Sequence, residues 1–291
     1  LIPLLLKRQY KVTLLDNFTW GIKPVLHFIT DNDLEIVSGD VRDENLIAKL
    51  IKEQDMVIHL AAIVGYPACA ADRDRAYTTN VEGTRNITKC LDGRKMIFAS
   101  TGSTYGKVDG ICDEDTPIDP LTLYGSTKWE AERLVSDVGG VALRFATVFG
   151  VAPRLRLDLL VNDFVYQALH ARQIVMYEGH FRRTFLHVRD AVRSYLTAID
   201  YFDKMKGQAF NVGDNTMNYT KREVALKVQE HVDFYLHEAD VGEDLDKRDY
   251  EVSYDRINQY GFKAEIDMNR GIEELVKTLR HIKVTNEWRN A

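Results

Sequence analysis

The pentapeptide Tyr124-Gly125-Ser126-Thr127-Lys128 places a phenol and an ammonium group at a spacing that could perform proton transfer. It lies near the start of a predicted helix, where residues four apart share one face. A lysine cation about 4 Å from a phenol, at an effective dielectric constant of about 20, would lower the tyrosine pKa from about 10 toward about 7. Such a phenol suits a general base at neutral pH. Chance alone would supply about one Tyr-x3-Lys pair in this composition, so the spacing by itself does not establish a site.

Short apolar runs alternate with stretches of helical period in the first half of the chain. The pattern predicts strands over 11–16, 34–39, 56–62, 95–100 and 141–146, with helices over 44–53, 75–91 and 122–138. Nearly continuous apolar strands separated by helices are typical of a parallel sheet covered on both faces. The predicted fold is therefore α/β, a Rossmann-type doubly wound parallel sheet.

The alternation of apolar runs and helical stretches becomes less regular after about residue 150. The second half predicts helices over 157–171, 189–202 and 270–282, a helix from Thr220, and strands over 184–188 and 208–213. No linker rich in Ser, Gly or Pro separates the halves. We expect an NAD-binding domain over 1–150 and a smaller α/β substrate-binding part over 151–291, with some later segments returning to the first sheet.

Composition excludes several classes of protein. The 291 residues carry a net charge of -6, with both signs interspersed, so nucleic acid is not an expected partner. The longest apolar runs fall far short of the about 20 residues that span a bilayer, so no membrane segment is predicted. Cys69, Cys90 and Cys112 form no metal or disulfide pattern, so no metal site is predicted; they are typical of buried thiols in the reducing cytoplasm.

Acidic residues follow the first two predicted strands. Asp16 ends the run 12–16 and is followed by Asn17, in the position where a dinucleotide-binding unit carries the carboxylate that accepts hydrogen bonds from the adenosine ribose. A carboxylate there favours NAD over NADP, although an ordinary turn aspartate would have the same pattern. Asp40, followed by Val41, could face the adenine, or Asp40 or Asp43 could cap the next helix.

The glycine-rich turn that would accompany Asp16 is not in the sequence. Residues 1–8 fit the tail of the helix that follows such a turn. We therefore expect the first strand and the glycine turn to be missing from the numbered chain and present in the natural protein.

These motifs together resemble the extended short-chain dehydrogenase/reductases of the nucleotide-sugar epimerase/dehydratase family. The resemblance rests on Tyr124-x3-Lys128, on Phe98-Ala99-Ser100-Thr101-Gly102-Ser103-Thr104-Tyr105-Gly106, on His59-Leu60-Ala61-Ala62, on Asn80-Val81-Glu82-Gly83-Thr84 and on Arg144-Phe145-Ala146-Thr147-Val148-Phe149-Gly150. The motifs occur in family order over nearly the whole chain.

The resemblance implies a site and its cofactor, NAD. Tyr124 would be the base, Lys128 its partner and a ligand of the nicotinamide ribose, and Thr101 the hydroxyl that orients the reacting alcohol. The implied cofactor contacts are Asp16, Asn17, Asp40, Val41, Leu60, Ala61, Ala62, Ser100, Tyr124 and Lys128, with Asn80 as a structural residue nearby. The implied substrate contacts are Thr101, Thr147, Asn162, Arg183 and Arg248; the two arginines could grip a diphosphate or could be surface charges of a solvated loop.

Departures from the family pattern narrow the reaction. The family's 4,6-dehydratases carry Asp-Glu directly after the catalytic threonine, whereas this chain has Gly102-Ser103. We therefore expect oxidation at C4 of a nucleotide-linked sugar, either as a net dehydrogenation or as an epimerisation, and disfavour dehydration. A non-catalytic nucleotide-sugar sensor is the alternative.

Segments over 153–164, 180–183 and 242–250 resemble more closely a bacterial subgroup that oxidises C4 of a GDP-linked manno-heptose. Family members commonly form homodimers through helices corresponding to 75–91 and 122–138, so we expect a homodimer. His59 and His187 lie in apolar strands and are interpreted as core histidines without a catalytic role.

Overall fold

The computed structural model describes residues 1–239, 249–282 and 290. Its strands are β1 (Val12–Asp16), β2 (Leu34–Ser38), β3 (Met56–His59), β4 (Lys95–Thr101), β5 (Lys107–Cys112), β6 (Val141–Phe145), β7 (Thr147–Phe149), β8 (Gln173–Met176), β9 (Arg182–His187), β10 (Ala209–Val212), β11 (Asn218–Thr220), β12 (Tyr235–Glu238) and β13 (Asp249–Val252).

The helices alternate with these strands through most of the chain. They are α1 (Ile2–Lys7), α2 (Glu44–Ile51), α3 (Tyr66–Ala71), α4 (Arg73–Tyr77), α5 (Gly83–Cys90), α6 (Leu123–Asp137), α7 (Leu160–His170), α8 (Val188–Asp200), α9 (Phe202–Met205), α10 (Lys221–Gln229), α11 (Asp255–Asn258) and α12 (Met268–Leu279). A π-helical turn, Thr78–Glu82, joins α4 to α5. No described helix combines the length and the apolar character needed to cross a bilayer.

The predicted parallel sheet is confirmed, in two pieces. Strands β1 and β2 form one parallel pair, and β3, β4, β6 and β10 form a parallel sheet in the order β10-β6-β4-β3. Within the described residues no ladder hydrogen bonds join the two pieces. They share one core, since Leu15 of β1 and Val57 of β3 pack against the same cluster of buried residues.

Side chains of β4 alternate between the two faces of the sheet, as a strand covered on both sides must. Met96 and Phe98 pack under α5 and α6, whereas Ile97 packs in a second cluster together with Tyr195 of α8. The helices therefore cover both faces, which is the doubly wound arrangement expected.

Segments beyond residue 150 return to the first half of the chain. Strand β10 extends the parallel sheet beside β6, and β13 pairs in parallel with β5. The remaining strands form the sheet β11-β9-β7 and the pair β12-β8, which pack with α7, α10 and α12 around a separate core. Strand β10 therefore belongs to the sheet that contains β3, β4 and β6.

Six of the short strands were not predicted: β5, β7, β8, β11, β12 and β13. Each has three to six residues, and β5 carries an exposed Ile111 and a Gly110 at positive φ. Such runs have too little periodicity to stand out in a sequence, and the pairing of β5 with β13 and of β8 with β12 spans long stretches of chain.

Gly106 determines how the segment before α6 reaches the sheet. Its φ is 75°, and a Cβ there would lie 1.9 Å from the carbonyl oxygen of Asp119. The backbone that leads into α6 therefore packs directly on the turn that follows β4.

We expect Gly106→Ala to lower the free energy of unfolding by about 3 kcal/mol, because it adds a backbone collision to the strain of a positive φ. Gly93 is the matched control, since it has the same φ of 75° and nothing within 4 Å of the position of its Cβ. Gly93→Ala should cost about 1 kcal/mol from backbone strain alone. Urea unfolding of both variants measures the difference, and equal losses would contradict the assigned close approach.

Candidate active site

The first turn of α6 carries Tyr124 and rests on the end of β4. Thr122 caps the helix by accepting a hydrogen bond from the backbone N–H of Gly125 at 3.1 Å. A Cβ at Gly125 would lie 2.7 Å from the carbonyl oxygen of Ser103, so the absence of a side chain allows the helix to approach the turn after β4. This contact brings the half-buried Tyr124 to the same end of the sheet as Thr101.

Thr101 is the last residue of β4 and lies at the carboxyl end of that strand. Its Oγ1 accepts a hydrogen bond from the backbone N–H of Ser103 at 3.1 Å and lies 3.1 Å from Ser103 Oγ. The hydroxyl is therefore held in one orientation in a buried position. On the far side, Tyr195 of α8 lies close enough to Tyr124 for their phenols to interact electrostatically.

Lys128 lies one turn after Tyr124 and is only 3% exposed. Its Nζ sits 3.9 Å from the centre of the Phe98 ring, a cation–π contact. In the part of the chain that the structure describes, no acceptor makes a hydrogen bond to this ammonium group. Burial lowers the pKa of Lys128 to about 7, although the nearby carboxylate of Glu132 acts in the opposite direction.

This pKa corrects one assumption of the sequence argument. The expected lowering of the tyrosine pKa supposed a lysine that is fully charged at neutral pH, whereas burial brings Lys128 itself into the neutral range. The charge of Lys128 beside the phenol therefore depends on how its surroundings balance this burial.

A buried carboxylate that the sequence analysis missed lies one further turn along the same face. Glu132 accepts hydrogen bonds from Arg144 on β6, the shortest at 2.6 Å, and from the hydroxyl of Ser100 on β4 at 2.5 Å. The spacing of four between Tyr124, Lys128 and Glu132 was the available signal, and it was not extended beyond the lysine. Ser100 was predicted to contact the cofactor; in the structure its hydroxyl is hydrogen-bonded to Glu132.

Residues predicted for the adenosine end lie where β1 and β2 terminate. The carboxylate of Asp16 accepts a hydrogen bond from the backbone N–H of Phe18 at 2.7 Å, which is a turn contact. The amide of Asn17 donates to Asp40 at 3.2 Å. Hydrogen bonds from Arg42 hold the pKa of Asp40 well below its usual range. Asp16, Asn17 and Asp40 are therefore brought together, and the helix cap is Asp43.

The segment after β3 is held in place by Asn80 in the π-helical turn. The Asn80 amide accepts from the N–H of Ile63 at 2.7 Å and donates to the carbonyl oxygen of the same residue at 3.0 Å. This pair of bonds fixes the backbone directly after Leu60, Ala61 and Ala62, of which Leu60 is the exposed one. The π-helical turn thus carries the asparagine that binds both backbone groups of Ile63. Such turns frequently occur at functional sites.

Val41, another predicted cofactor contact, points into the core instead. Its side chain is 7% exposed and packs with Ile47, Ile87 and Leu91. A cofactor could therefore contact only the backbone of Val41. The carbonyl oxygen of that backbone already accepts a hydrogen bond from Asn86.

The predicted substrate contacts lie in the second half of the chain. The Asn162 amide accepts from the N–H of Gly150 at 3.0 Å and donates to the carbonyl oxygen of Arg156 at 2.8 Å, so it organises the loop after β7. Thr147 begins β7 and is half buried. Arg183 is 5% exposed on β9, which excludes the interpretation as a solvated surface charge. Arg248 lies outside the described residues.

The two histidines that lie in strands, His59 and His187, differ in the hydrogen bonds of their rings. His59 is confirmed as a satisfied core histidine: its Nε2 lies 3.0 Å from the hydroxyl of Thr84, and burial lowers its pKa to about 3. His187 is also fully buried and accepts from the N–H of Arg189, with its Nε2 3.5 Å from a carboxylate oxygen of Glu274. Among the residues that the structure covers, no group of His, Cys, Asp and Glu could hold a metal ion.

The residues present fit the predicted dinucleotide at its two ends. A buried ammonium group that faces an aromatic ring and has no hydrogen-bond acceptor among the described residues, on Lys128, suits the hydroxyls of a nicotinamide ribose. Carboxylates at the carboxyl ends of parallel strands, on Asp16 and Asp40, suit the adenosine end. Lys128, Asp16 and Asn17 are therefore the side chains that would hold NAD.

We expect Lys128→Met to stabilise the protein against unfolding and to weaken NAD binding. The unfolded lysine has a pKa near 10.5 and the folded one about 7, so the penalty for burying the charge is complete below pH 7 and fades as the pH rises toward 10.5. The gain should thus be a few kcal/mol at pH 6 and smaller at pH 9. Urea unfolding of the cofactor-free variant at both pH values measures it, and a gain that is equal at both would contradict the assigned pKa.

The sequence matches the family model described as the NAD dependent epimerase/dehydratase family over residues 1–213. Two relatives are similar to it. A UDP-N-acetyl-alpha-D-glucosaminuronate decarboxylase of Bacillus cytotoxicus is 31% identical over 228 residues, which cover 72% of this chain and 69% of that protein. A putative UDP-glucose 4-epimerase of Methanocaldococcus jannaschii is 27% identical over 297 residues, covering 97% and 94%.

Solved structures share the fold at low sequence identity. Pal from Bacillus thuringiensis superposes with a TM-score of 0.86 at 21% identity, covering 97% of this chain and 95% of that one. The UDP-glucuronic acid 4-epimerase from Bacillus cereus, in complex with UDP-glucuronic acid and NAD, has a TM-score of 0.80 at 22% identity, covering 95% and 93%.

These matches confirm the predicted Rossmann-type fold, the enzyme class and NAD as the cofactor. The family model spans the strands and helices that carry Thr101, Tyr124 and Lys128 and extends past β10. The chain belongs to the NAD dependent epimerase/dehydratase family.

Proposed function

We propose that this protein oxidises C4 of the sugar of a nucleotide sugar, with Tyr124 as the base. The observation that carries the proposal is the buried ammonium of Lys128 one helical turn from the half-buried phenol of Tyr124, at the end of the strand that presents Thr101. Bound NAD supplies the acceptor for the hydride that leaves the same carbon.

Each side chain then has a defined task. The hydroxyl of Thr101, oriented by the backbone N–H of Ser103, hydrogen-bonds the reacting alcohol. The Tyr124 oxygen takes the proton of that alcohol, and the charge on Lys128 stabilises the phenolate form. Because burial lowers the pKa of Lys128 to about 7, a proton can leave this pair at neutral pH.

A ketone at C4 leads to several products, and the relatives differ in this respect. Return of hydride to the other face gives the C4 epimer, as the names of the epimerases indicate. A sugar that carries a carboxylate on C5 would lose CO2 from the β-keto acid, consistent with the name of the decarboxylase. These reactions share the first step, the oxidation of C4.

Dehydration stays disfavoured. A Cβ at Gly102 would lie 3.3 Å from the hydroxyl of Tyr250 and 3.5 Å from the carbonyl oxygen of Phe145. A carboxylate side chain at this position would meet those atoms, which supports the interpretation that Gly102-Ser103 replaces the acidic pair of the family's dehydratases.

For the nucleotide, the relatives favour uridine over the guanosine expected from the subgroup resemblance, since their names specify UDP-linked sugars. Arg183 remains the proposed diphosphate ligand. Its guanidinium is buried, and one nitrogen donates to the carbonyl oxygen of Arg182 at 3.0 Å, which fixes its orientation. A planar guanidinium can donate paired hydrogen bonds to phosphate oxygens.

The predicted homodimer stays part of the proposal. On the outer side of α4, α5 and α6, Tyr77 donates to Glu130 at 2.9 Å and Arg85 lies 3.7 Å from the same carboxylate. Tyr77 remains 40% exposed, as an interface aromatic would be in a single chain. We expect sedimentation equilibrium to give twice the chain mass of 33.4 kDa, and a mass of one chain at micromolar concentration would contradict it.

We expect Tyr124→Phe to reduce turnover about 100-fold or more while leaving folding and NAD binding unchanged, because it removes one ionisable oxygen at the reacting centre. The control is Tyr201→Phe, an exposed tyrosine at the end of α8. Turnover is measured with UDP-glucose, UDP-glucuronic acid and GDP-mannose in parallel. Wild-type turnover in the Tyr124 variant would remove this residue from the mechanism.

Substrates deuterated at C4 identify which reaction follows oxidation. Retention of deuterium at C4 in an epimerised product means that hydride returns from the enzyme. Accumulation of reduced NAD, discharged only when a keto acid is added, means net dehydrogenation. Turnover with no transient reduction of NAD and no isotope effect from deuterium at C4 would contradict C4 chemistry.

A further inference from the structure

The buried carboxylate of Glu132 connects the catalytic helix to two strands of the sheet. It is 3% exposed, and its two oxygens accept hydrogen bonds from Arg144 on β6 and from Ser100 on β4. Neither strand residue is a member of the proton-transfer set. The ion pair is itself buried on both sides, with side-chain exposures of 4% and 4%.

Its position relates it to the catalytic residues in two ways. Along α6, Glu132 follows Lys128 by one turn and Tyr124 by two, so all three lie on one helical face. Across the sheet, Ser100 directly precedes Thr101, so the bond from Ser100 fixes the strand end that presents the Thr101 hydroxyl.

Arg144 in turn anchors the carboxylate from the opposite side. One guanidinium nitrogen donates to the phenol oxygen of Tyr105 at 2.9 Å, and that phenol donates to the amide oxygen of Asn211 on β10 at 2.8 Å. The carboxylate is therefore one member of a chain of buried polar groups across three neighbouring strands. Hydrogen bonds from charged and hydroxyl donors therefore hold the carboxylate in a fixed position.

We propose that Glu132 is a positioning residue that favours the charged form of Lys128 and holds the Thr101 end of β4 in register with α6. The inference rests on the proposed function for the role of Lys128. It goes beyond that function by assigning the counter-charge of the catalytic pair to a residue that does not contact the reacting atoms.

The groups that face Lys128 support this assignment. On its own helix they are Tyr124 and Glu132; from β3 there is His59, which is neutral at neutral pH because burial lowers its pKa to about 3. From α3 there is the thiol of Cys69, whose pKa burial raises to about 11, so it is uncharged as well. Phe98 of β4 offers only its ring. Arg144 is paired with Glu132, and among the described residues Glu132 is the anion near the ammonium.

The test is Glu132→Gln, with Asp137→Asn on the same helix as the control. Both changes remove one negative charge, but Asp137 is exposed and about 13 Å further along the helix axis from Lys128. We expect the pH profile of C4 oxidation by the NAD-loaded Glu132 variant to shift about one unit toward acid, because both members of the Tyr124 and Lys128 pair lose protons more readily. The Asp137 variant should keep the wild-type profile.

A second readout uses the protein without cofactor or substrate. In the wild type the Lys128 pKa falls from 10.5 to about 7 on folding, so the unfolded chain binds more protons between these values and stability rises with pH across that interval. With the carboxylate removed, the interval extends below pH 7. The free energy of unfolding of the Glu132 variant should therefore rise more steeply between pH 6 and 7 than that of the wild type.

Two further variants guard against a simple folding defect. Glu132→Gln combined with Arg144→Gln removes both members of the buried ion pair, so Arg144 is not left without its partner, and it should show the same two shifts. Glu132→Asp keeps the charge with a shorter reach, and should retain the wild-type pH profile while turnover falls about 10-fold through displacement of the Ser100 and Thr101 strand end. An unchanged profile and an unchanged stability slope in the neutral variants would overturn the proposal, even if turnover fell. A failure of the proposed function would show separately, as full turnover in Tyr124→Phe.

Discussion

The site depends on one unfavourable fact, the burial of a lysine ammonium without a hydrogen-bond acceptor among the described residues. Lys128 is 3% exposed, and its Nζ faces the ring of Phe98. A group in this state has a pKa close to neutrality, which makes it able to exchange protons at the pH of a cell. It also costs stability, which the surrounding core of α5, α6 and β4 must offset.

Several other features of the chain position the residues around Lys128. Gly125 and Gly106 lack side chains where α6 and its preceding segment touch the turn after β4, so the helix can approach the strand end closely. The π turn lets Asn80 hold the backbone after β3. Each shortens or fixes one contact around the phenol and the Thr101 hydroxyl, and proton transfer requires such short, fixed distances.

Much of this was accessible from the pattern of residues. The alternation of apolar runs predicted the parallel sheet and its crossover helices, and the order of motifs identified the family that the comparisons confirm. The short strands β5 and β13 escaped prediction because what stabilises each is its partner, which is distant in the chain. Val41 matched a motif position, yet its side chain packs into the core, since a motif specifies a backbone path and not the direction of every side chain.

The sequence by itself determined which chemical groups are available and the spacing of Tyr124 and Lys128 on one helical face, because helix geometry is local and has a constant period. Only the tertiary structure decided the protonation behaviour of that pair. The pKa of Lys128 depends on its removal from water by Phe98 and on the charge of Glu132, which is held by Ser100 and Arg144 from other elements. Desolvation and Coulomb interaction act through space, so they become defined only when strands distant in the chain lie side by side.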